Sequence, residues 1–518
     1  MRRAGIAGPA GSPRACPSMR WPRCRPASYR TLRTGEMEAP SPAPLVGYVR
    51  DGDVRGAELT DCLCNDDDRL ALAALSSANP KQVLAQLPAQ IADQQVFNVK
   101  IPFEGGPITN QRSSGRCWLF ASTNVFRVAL MRRYRLDAFE LSQAYLFYWD
   151  KLEKANWFLE QVIETAGEDL DGRLVQALLA GPVSDGGQWD MVYNLVDKYG
   201  LVPQALYPDA WSAKNSSVLN AAVVNKLREY ALRLRAVVRG SDGSAPTPPA
   251  LVGNLKITMM REIQKIMTLL LGPPPSPTSA FTWQYNDRDG KAHELTITPK
   301  DFAKNIASSD LRVTSSVIES MVSLVNDPRH DPLSPLTVSR LGNVVGGRGV
   351  SYINVDMDTL KDACVKMLKA GLPIFFGSDV GKFSDNATGI MDLDLIDYEV
   401  GIGSSLLGMN KAERLRTGES QMTHAMVLTA VHVDEQTGKP ARWRVQNSWG
   451  PDAGDKGWFV MSDAWMDEFV YQAVVDPRFW QQGSQGRPEE GPHCAAIVGS
   501  HGRFGLVVGK RLLYISQG

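Results

Sequence analysis

The chain has no excess of either charge: 56 Lys and Arg stand against 56 Asp and Glu in 518 residues. That balance leaves no electrostatic footprint for nucleic acid or for an anionic membrane surface. No apolar run approaches the ~18 residues that a membrane-spanning helix needs. Cysteine is scarce, seven residues, odd in number and scattered. This excludes a disulfide framework and suits free thiols in a reducing compartment. Cys62 and Cys64 are too close for a C-x-x-C redox pair, and no second cluster completes a zinc site. Gly346-Gly347-Arg348-Gly349 lacks the Lys-Ser/Thr that would make it a phosphate loop. No internal repeat is visible.

Length alone argues for about two to four domains. Residues 1–36 are rich in Arg, Pro and Ser, and the first acid is Glu36. The run is not continuously apolar, so it is no secretory segment; its basic balance is compatible with an organelle-targeting peptide. No amphipathic helix emerges from it, and residues 1–59 read as a disordered extension. Residues 60–150 read as N-terminal helices, broken at Asn79-Pro80, an extended approach from Val96 to Pro107, and a cysteine-bearing helix. Residues 151–350 read as a mostly helical insertion, with amphipathic runs at Gln188 to Tyr199 and Leu219 to Val238. Gly272 to Pro277 is a stiff connector, and Asp185-Gly186-Gly187 is a turn before a helix. Residues 351–479 are β-rich, with strands at Pro373 to Gly377, Met422 to Val433, Trp443 to Asn447 and Trp458 to Met461. Helices first and strands later give an α+β fold with two halves facing each other. Residues 480–518 form a separate tail.

Candidate chemistry centres on Gln111-Arg112-Ser113-Ser114-Gly115-Arg116-Cys117-Trp118. Apolar residues recur from Trp118 through Ala121, Val125 and Ala129 at helical spacing, with Leu119, Phe126 and Leu130 beside them. Ser113, Ser114 and Gly115 are expected to supply capping and turn chemistry upstream. Cys117 therefore opens a buried helix, where the dipole and the unpaired N–H groups favour thiolate. Taken alone, a cysteine there reads first as a small buried hydrophobe; the residues downstream reverse that reading. His424 lies inside an apolar strand and needs a polar partner. Asn447 is the candidate: a neutral amide can accept the ring N–H and fix the imidazole without fixing its charge. Trp449 could keep water off that bond. An unperturbed thiol, with a pKa near ~8.5, is only a few per cent thiolate at pH 7, so it needs such a base. Gln111 can offer a side-chain N–H, and Cys117 its backbone N–H, to an oxyanion.

Gln111, Ser114 to Trp118, Thr423-His424-Ala425 and Gln446 to Gly450 together resemble the papain-like cysteine peptidases in residue type, order and local context. Ser114 stands where the papain signature has a cysteine. Cys117 and His424 are separated by about twice the ~130–150 residues of papain. That excess resembles the bleomycin hydrolase branch, as do Asp171 to Gln176, Asp185 to Asp190, Leu324 to Arg329 and Met409 to Leu415. The resemblance runs from roughly residue 95 to 479. It implies a papain-like two-half fold, one half helical and one an antiparallel β-barrel-like half, with large helical insertions. It implies a broad-specificity aminopeptidase, able to hydrolyse the carboxamide of bleomycin through an acyl-enzyme thioester. Cys117 would be the nucleophile, His424 the acid and base, Asn447 its orienter and Gln111 an oxyanion donor, with no metal or organic cofactor. It further implies a cytosolic homohexameric cage with inward-facing sites and peptide or small amide substrates. The family's C-terminal arm limits cleavage to peptide N-termini. The sequence after Phe479 does not align to that arm, so amide hydrolysis without strict N-terminal preference is the expectation. The alternatives are a thiol acyltransferase, in which an amine replaces water, and a ring-shaped scaffold or nucleic-acid binder that has lost turnover.

Overall fold

Apolar residues on more than one face of a helix call for burial all round, and α1 (Cys117–Tyr134) is buried at every residue from Trp118 to Met131. This computed structural model describes residues 66–240, 247–304 and 315–480, with strands His493–Gly499, Arg503–Val508 and Arg511–Leu512 beyond. The extension expected over residues 1–59 lies outside the described residues, as does most of the tail. The elements from Leu70 onward pack as one unit.

Polar residues inside α1 are satisfied locally. The Ser122 and Thr123 hydroxyls donate back one turn to the carbonyls of Trp118 and Leu119, at 2.8 and 2.7 Å. The helix stops at Arg135, which takes a left-handed conformation (φ 54°) while Leu136 N–H returns to the Met131 carbonyl. That is the 6→1 closure of a helix C-terminus. Burying a side chain such as Leu119, Phe126 or Leu130, each without solvent exposure, contributes roughly 1.5–3 kcal/mol.

Around α1 stand α2 (Gln143–Glu164) and α3 (Trp189–Tyr199), with α4 (Ser217–Arg239) and α5 (Pro249–Leu271) packed outside α2. The runs read at Gln188 to Tyr199 and Leu219 to Val238 are α3 and α4. The glycine loop at 346–349 is structural: a Cβ on Gly347 would strike the Asn194 amide at 2.9 Å, and that amide donates to the Arg348 carbonyl.

The strands in chain order are β1 (Val99–Lys100), β2 (Phe281–Asn286), β3 (Ala292–Ile297), β4 (Val322–Val325), β5 (Pro335–Val338), β6 (Tyr352–Asn354), β7 (Ile374–Ser378), β8 (Ser384–Asp385), β9 (Ile390–Met391), β10 (His424–Val433), β11 (Pro440–Gln446), β12 (Trp458–Ser462) and β13 (Val470–Val475). One sheet runs β5-β6-β4-β13-β7-β10-β11-β12-β9-β8, with β1 also on β10. The three strands after residue 480 continue it from β5.

The expected α+β arrangement is present, with two features that the sequence left open. The sheet is open and forms no closed barrel. Among the described residues its two ends, β8 and the strand Arg511–Leu512, do not pair with each other. The stretch 151–350 also contains strands. β2 and β3 form a separate hairpin, while β4 and β5 join the main sheet, β4 by pairing with β13. Each of these two is only four residues long, too short to carry a clear alternation in sequence.

Candidate active site

The sheet and α1 bring distant residues to one place. His424 opens β10 and pairs with Ser378 of β7, while Val427 pairs with Gln446, the last residue of β11. In an antiparallel pair the start of one strand lies beside the end of its neighbour. Asn447, one residue past β11, is therefore carried next to His424. Its Oδ1 accepts from His424 Nε2 at 2.8 Å and from the Ser448 N–H at 2.8 Å. The Trp449 ring stacks on the imidazole, with centroids 4.7 Å apart and planes at 29°.

α1 packs against β10. The backbone N–H groups of Ala425, the residue after His424, of Trp118 and of Cys117 itself favour the charged form of the Cys117 sulfur. Part of the cysteine stays open to solvent. Burial pushes the Cys117 thiol up to about 11, against the pull of those N–H groups. Burial also pulls the His424 imidazole down to about 4, partly offset by its bond to Asn447. Each group alone is therefore neutral near pH 7.

The expected serine cap is absent. The residue preceding α1 is Arg116, and it makes no side-chain capping bond. Ser114 instead donates from its hydroxyl to the Gln111 carbonyl at 2.6 Å. The first N–H groups of α1 are thus left for the sulfur and for any negative charge beside it.

Gln111 is buried and joined to the other half of the site. Its N–H donates to the Ser448 carbonyl at 2.8 Å, and its Oε1 accepts from the Ser448 hydroxyl at 2.7 Å. Its Nε2 donates to the Ser114 carbonyl at 2.7 Å. Because a hydroxyl donates to one side of the amide, the nitrogen is fixed on the other side. An amide nitrogen carries two hydrogens, so one remains for substrate.

Two buried ion pairs hold the turn before Cys117. Arg116 has no solvent exposure and binds Asp209 through both terminal nitrogens, at 2.7 and 3.1 Å. Its Nε also donates to the Ser114 hydroxyl at 2.9 Å. Asp185 accepts from the Gly115 N–H at 3.0 Å and pairs with Lys151 of α2 at 2.6 Å. The Trp118 indole N–H donates to the Asp185 carbonyl at 2.6 Å. Sequence reasoning gave Asp185 only a turn role and overlooked Asp209 and Lys151. The usable signal was the rarity of unpaired buried charge: Arg116, between a glycine and the buried helix, demanded an acid.

The arrangement joins a thiol, an imidazole held by an amide, and two amide donors. No helix among the described residues is long and apolar enough to cross a membrane. Residues 59–494 match the Peptidase C1-like family. The chain is 45% identical over 413 residues to cysteine proteinase 1, mitochondrial, of Saccharomyces cerevisiae, covering 79% of this chain and 82% of that one. It is 41% identical over 435 residues to human bleomycin hydrolase, covering 80% and 92%. The crystal structure of PepW from Lactobacillus rhamnosis HN001 superposes with a TM-score of 0.77 at 38% identity, covering 84% of this chain and 93% of that one. The chain belongs to the Peptidase C1-like family and is a cysteine peptidase of the bleomycin hydrolase type.

Proposed function

We propose that the protein is an aminopeptidase that hydrolyses peptide N-termini, and small amides including the carboxamide of bleomycin, through an acyl-enzyme thioester. The observation that carries the reading is His424 held on Asn447 at 2.8 Å beneath the Trp449 ring, at the start of the strand against which the helix opened by Cys117 packs.

In this reading the thiol proton passes to His424 as sulfur attacks the amide carbonyl. The electron pair of the C=O bond moves onto oxygen. Gln111 Nε2 and the Cys117 backbone N–H donate to that oxyanion. When the intermediate collapses, the protonated imidazole delivers its proton to the departing amine, leaving a thioester. A water molecule then gives a proton to His424 and its oxygen to the acyl carbon, and the thiol is restored. Asn447 accepts from Nε2 throughout, so the ring keeps its orientation while its charge changes.

We place the enzyme in the cytosol as a homohexamer, on the family resemblance. Sedimentation or light scattering should give six times the 56.8 kDa chain mass; a monomer would remove the cage. A fusion of residues 1–36 to a fluorescent reporter should stay cytosolic; import into mitochondria, the compartment in the yeast relative's name, would move it. Cys117→Ser should abolish hydrolysis of an amino-acid 4-nitroanilide without altering the fold, and retained hydrolysis would remove Cys117 from its role. A peptide pair, one free and one acetylated at the N-terminus, sets the selectivity. Faster release from the free peptide with some internal cleavage of the blocked one supports an aminopeptidase with relaxed N-terminal preference, release from the free peptide alone counts against that relaxation, and equal cleavage of both would replace the aminopeptidase by an endopeptidase. Product analysis with added amine separates hydrolysis from acyl transfer.

A further inference from the structure

Asp185 sits behind the catalytic turn as a buried carboxylate with donors on every side. Gly115 N–H reaches its Oδ2 at 3.0 Å, the Ser216 hydroxyl reaches the same oxygen at 2.5 Å, and Asn220 Nδ2 reaches Oδ1 at 2.8 Å. Lys151, whose side chain has no solvent exposure, pairs with Oδ1 at 2.6 Å. One side chain thus ties the peptide two residues before Cys117 to α2 and α4. Gly115 allows the approach, because a Cβ there would strike the Asp185 Cβ at 2.7 Å.

The carboxylate also acts on the sulfur through space. Its negative charge opposes formation of a thiolate at Cys117. The other charges facing this region come in pairs. Lys154 pairs with Asp150 at 2.6 Å on α2, and Arg116 pairs with Asp209 at the turn; His424 faces it from β10. Lys151 is the partner that makes the Asp185 charge tolerable beside a nucleophile that must ionise.

We propose that Asp185 and Lys151 form the positioning pair of the reaction. Asp185 fixes the Gly115 peptide, and with it the turn that sets Gln111 and Cys117, while Lys151 cancels the field that Asp185 would otherwise impose on the thiolate. The assignment rests on Cys117 being the nucleophile, as argued above.

The test uses the full chain with Asp185→Asn, Lys151→Gln and the double substitution, assayed with an amino-acid 4-nitroanilide across pH. The acid limb of kcat/KM reports the first proton lost from the thiol and imidazole together. Asp185→Asn removes the negative charge and leaves the lysine, so the limb moves to lower pH. Lys151→Gln leaves the negative charge bare, so the limb moves to higher pH. The double substitution returns the limb to its original position. Loosening the turn lowers kcat by about 10²-fold in Asp185→Asn, with KM little changed. Purely structural damage has no reason to move the two limbs in opposite directions. Limbs that stay fixed, or move the same way, overturn the proposal. If either single variant does not fold, the double variant decides: an unshifted limb with kcat still lowered supports the pair, and wild-type kcat overturns it. Cys117→Ser runs alongside. Activity there would fail the functional reading itself, whereas fixed limbs with an inactive Cys117→Ser fail only this inference.

Discussion

Asn447→Ala tests the most economical part of the site. Its Oδ1 accepts two hydrogen bonds, from His424 Nε2 and from the Ser448 N–H, while its Nδ2 has no hydrogen-bond partner. Removing the amide therefore removes those two bonds and no others from Asn447. The imidazole N–H is left buried beneath Trp449 with no acceptor, a penalty of about 1–3 kcal/mol. If the ring turns away to relieve it, that energy must be restored to reach the reactive geometry, which is roughly a 5- to 150-fold loss in kcat/KM. The Asn447 bond also raises the imidazole pKa against burial. Its loss moves the acid limb of kcat/KM to lower pH, whereas Asn447→Asp places a carboxylate on Nε2 and moves it to higher pH. Both follow from 4-nitroanilide hydrolysis measured across pH, with thermal unfolding to confirm the fold. An Asn447→Ala enzyme within about threefold of wild type, with an unmoved limb, would refute the role of this bond.

Gln111→Ala removes the proposed oxyanion donor and should lower kcat by about 10²–10³-fold with little change in KM; steady-state kinetics decides it. Arg116→Met strands the nearly buried Asp209 carboxylate and should destabilise the fold by about 3–5 kcal/mol in urea unfolding, with much of the loss recovered by adding Asp209→Asn. His424 has a folded pKa of about 4 against the ordinary 6.5, so the unfolded chain takes up a proton that the folded one refuses. The stability associated with a neutral imidazole is complete above pH 6.5 and is lost as pH falls toward 4. Wild type should lose roughly 3 kcal/mol more than His424→Gln between those limits, as measured by denaturant titration.

How much of this was legible depended on how local the cause was. α1 was readable because its burial is written into consecutive residues, β7 and β10 because interior strands are apolar on both faces, and β11 and β12 because the glycine-rich turn Gly450 to Gly457 separates two short strand-forming runs. Cys117, His424, Asn447 and Gln111 stood out together through the resemblance to the papain-like peptidases, and hydrogen bonds tie His424 to Asn447 and Gln111 to Ser448 beside it. What the sequence concealed was long-range. Asp185 binds a peptide 70 residues away, and Asp209 binds Arg116 across 93. Neither acid carries a local mark that separates it from a turn residue. The serine cap was misjudged for the opposite reason. Capping is a local preference, and here Ser114 is drawn instead to the Gln111 carbonyl and to Arg116.

The same long-range pairing bears on how the half-buried Cys117 thiol would act as the proposed nucleophile. Desolvation holds both Cys117 and His424 neutral when each is considered alone. In the proposed reaction, moving the proton from sulfur to ring creates two opposite charges, and their attraction is strong where water is scarce. That attraction decides the outcome only if no third charge outweighs it. Lys151 with Asp185, Lys154 with Asp150, and Arg116 with Asp209 are each closed at 2.6 to 2.7 Å. Opposite charges held this close largely offset each other at a distance. The helix N-terminus, left uncapped, adds N–H groups that favour the charged form. Burial thus excludes water from the reaction without fixing the thiol in its unreactive state, because the surrounding charges are matched before the proton moves.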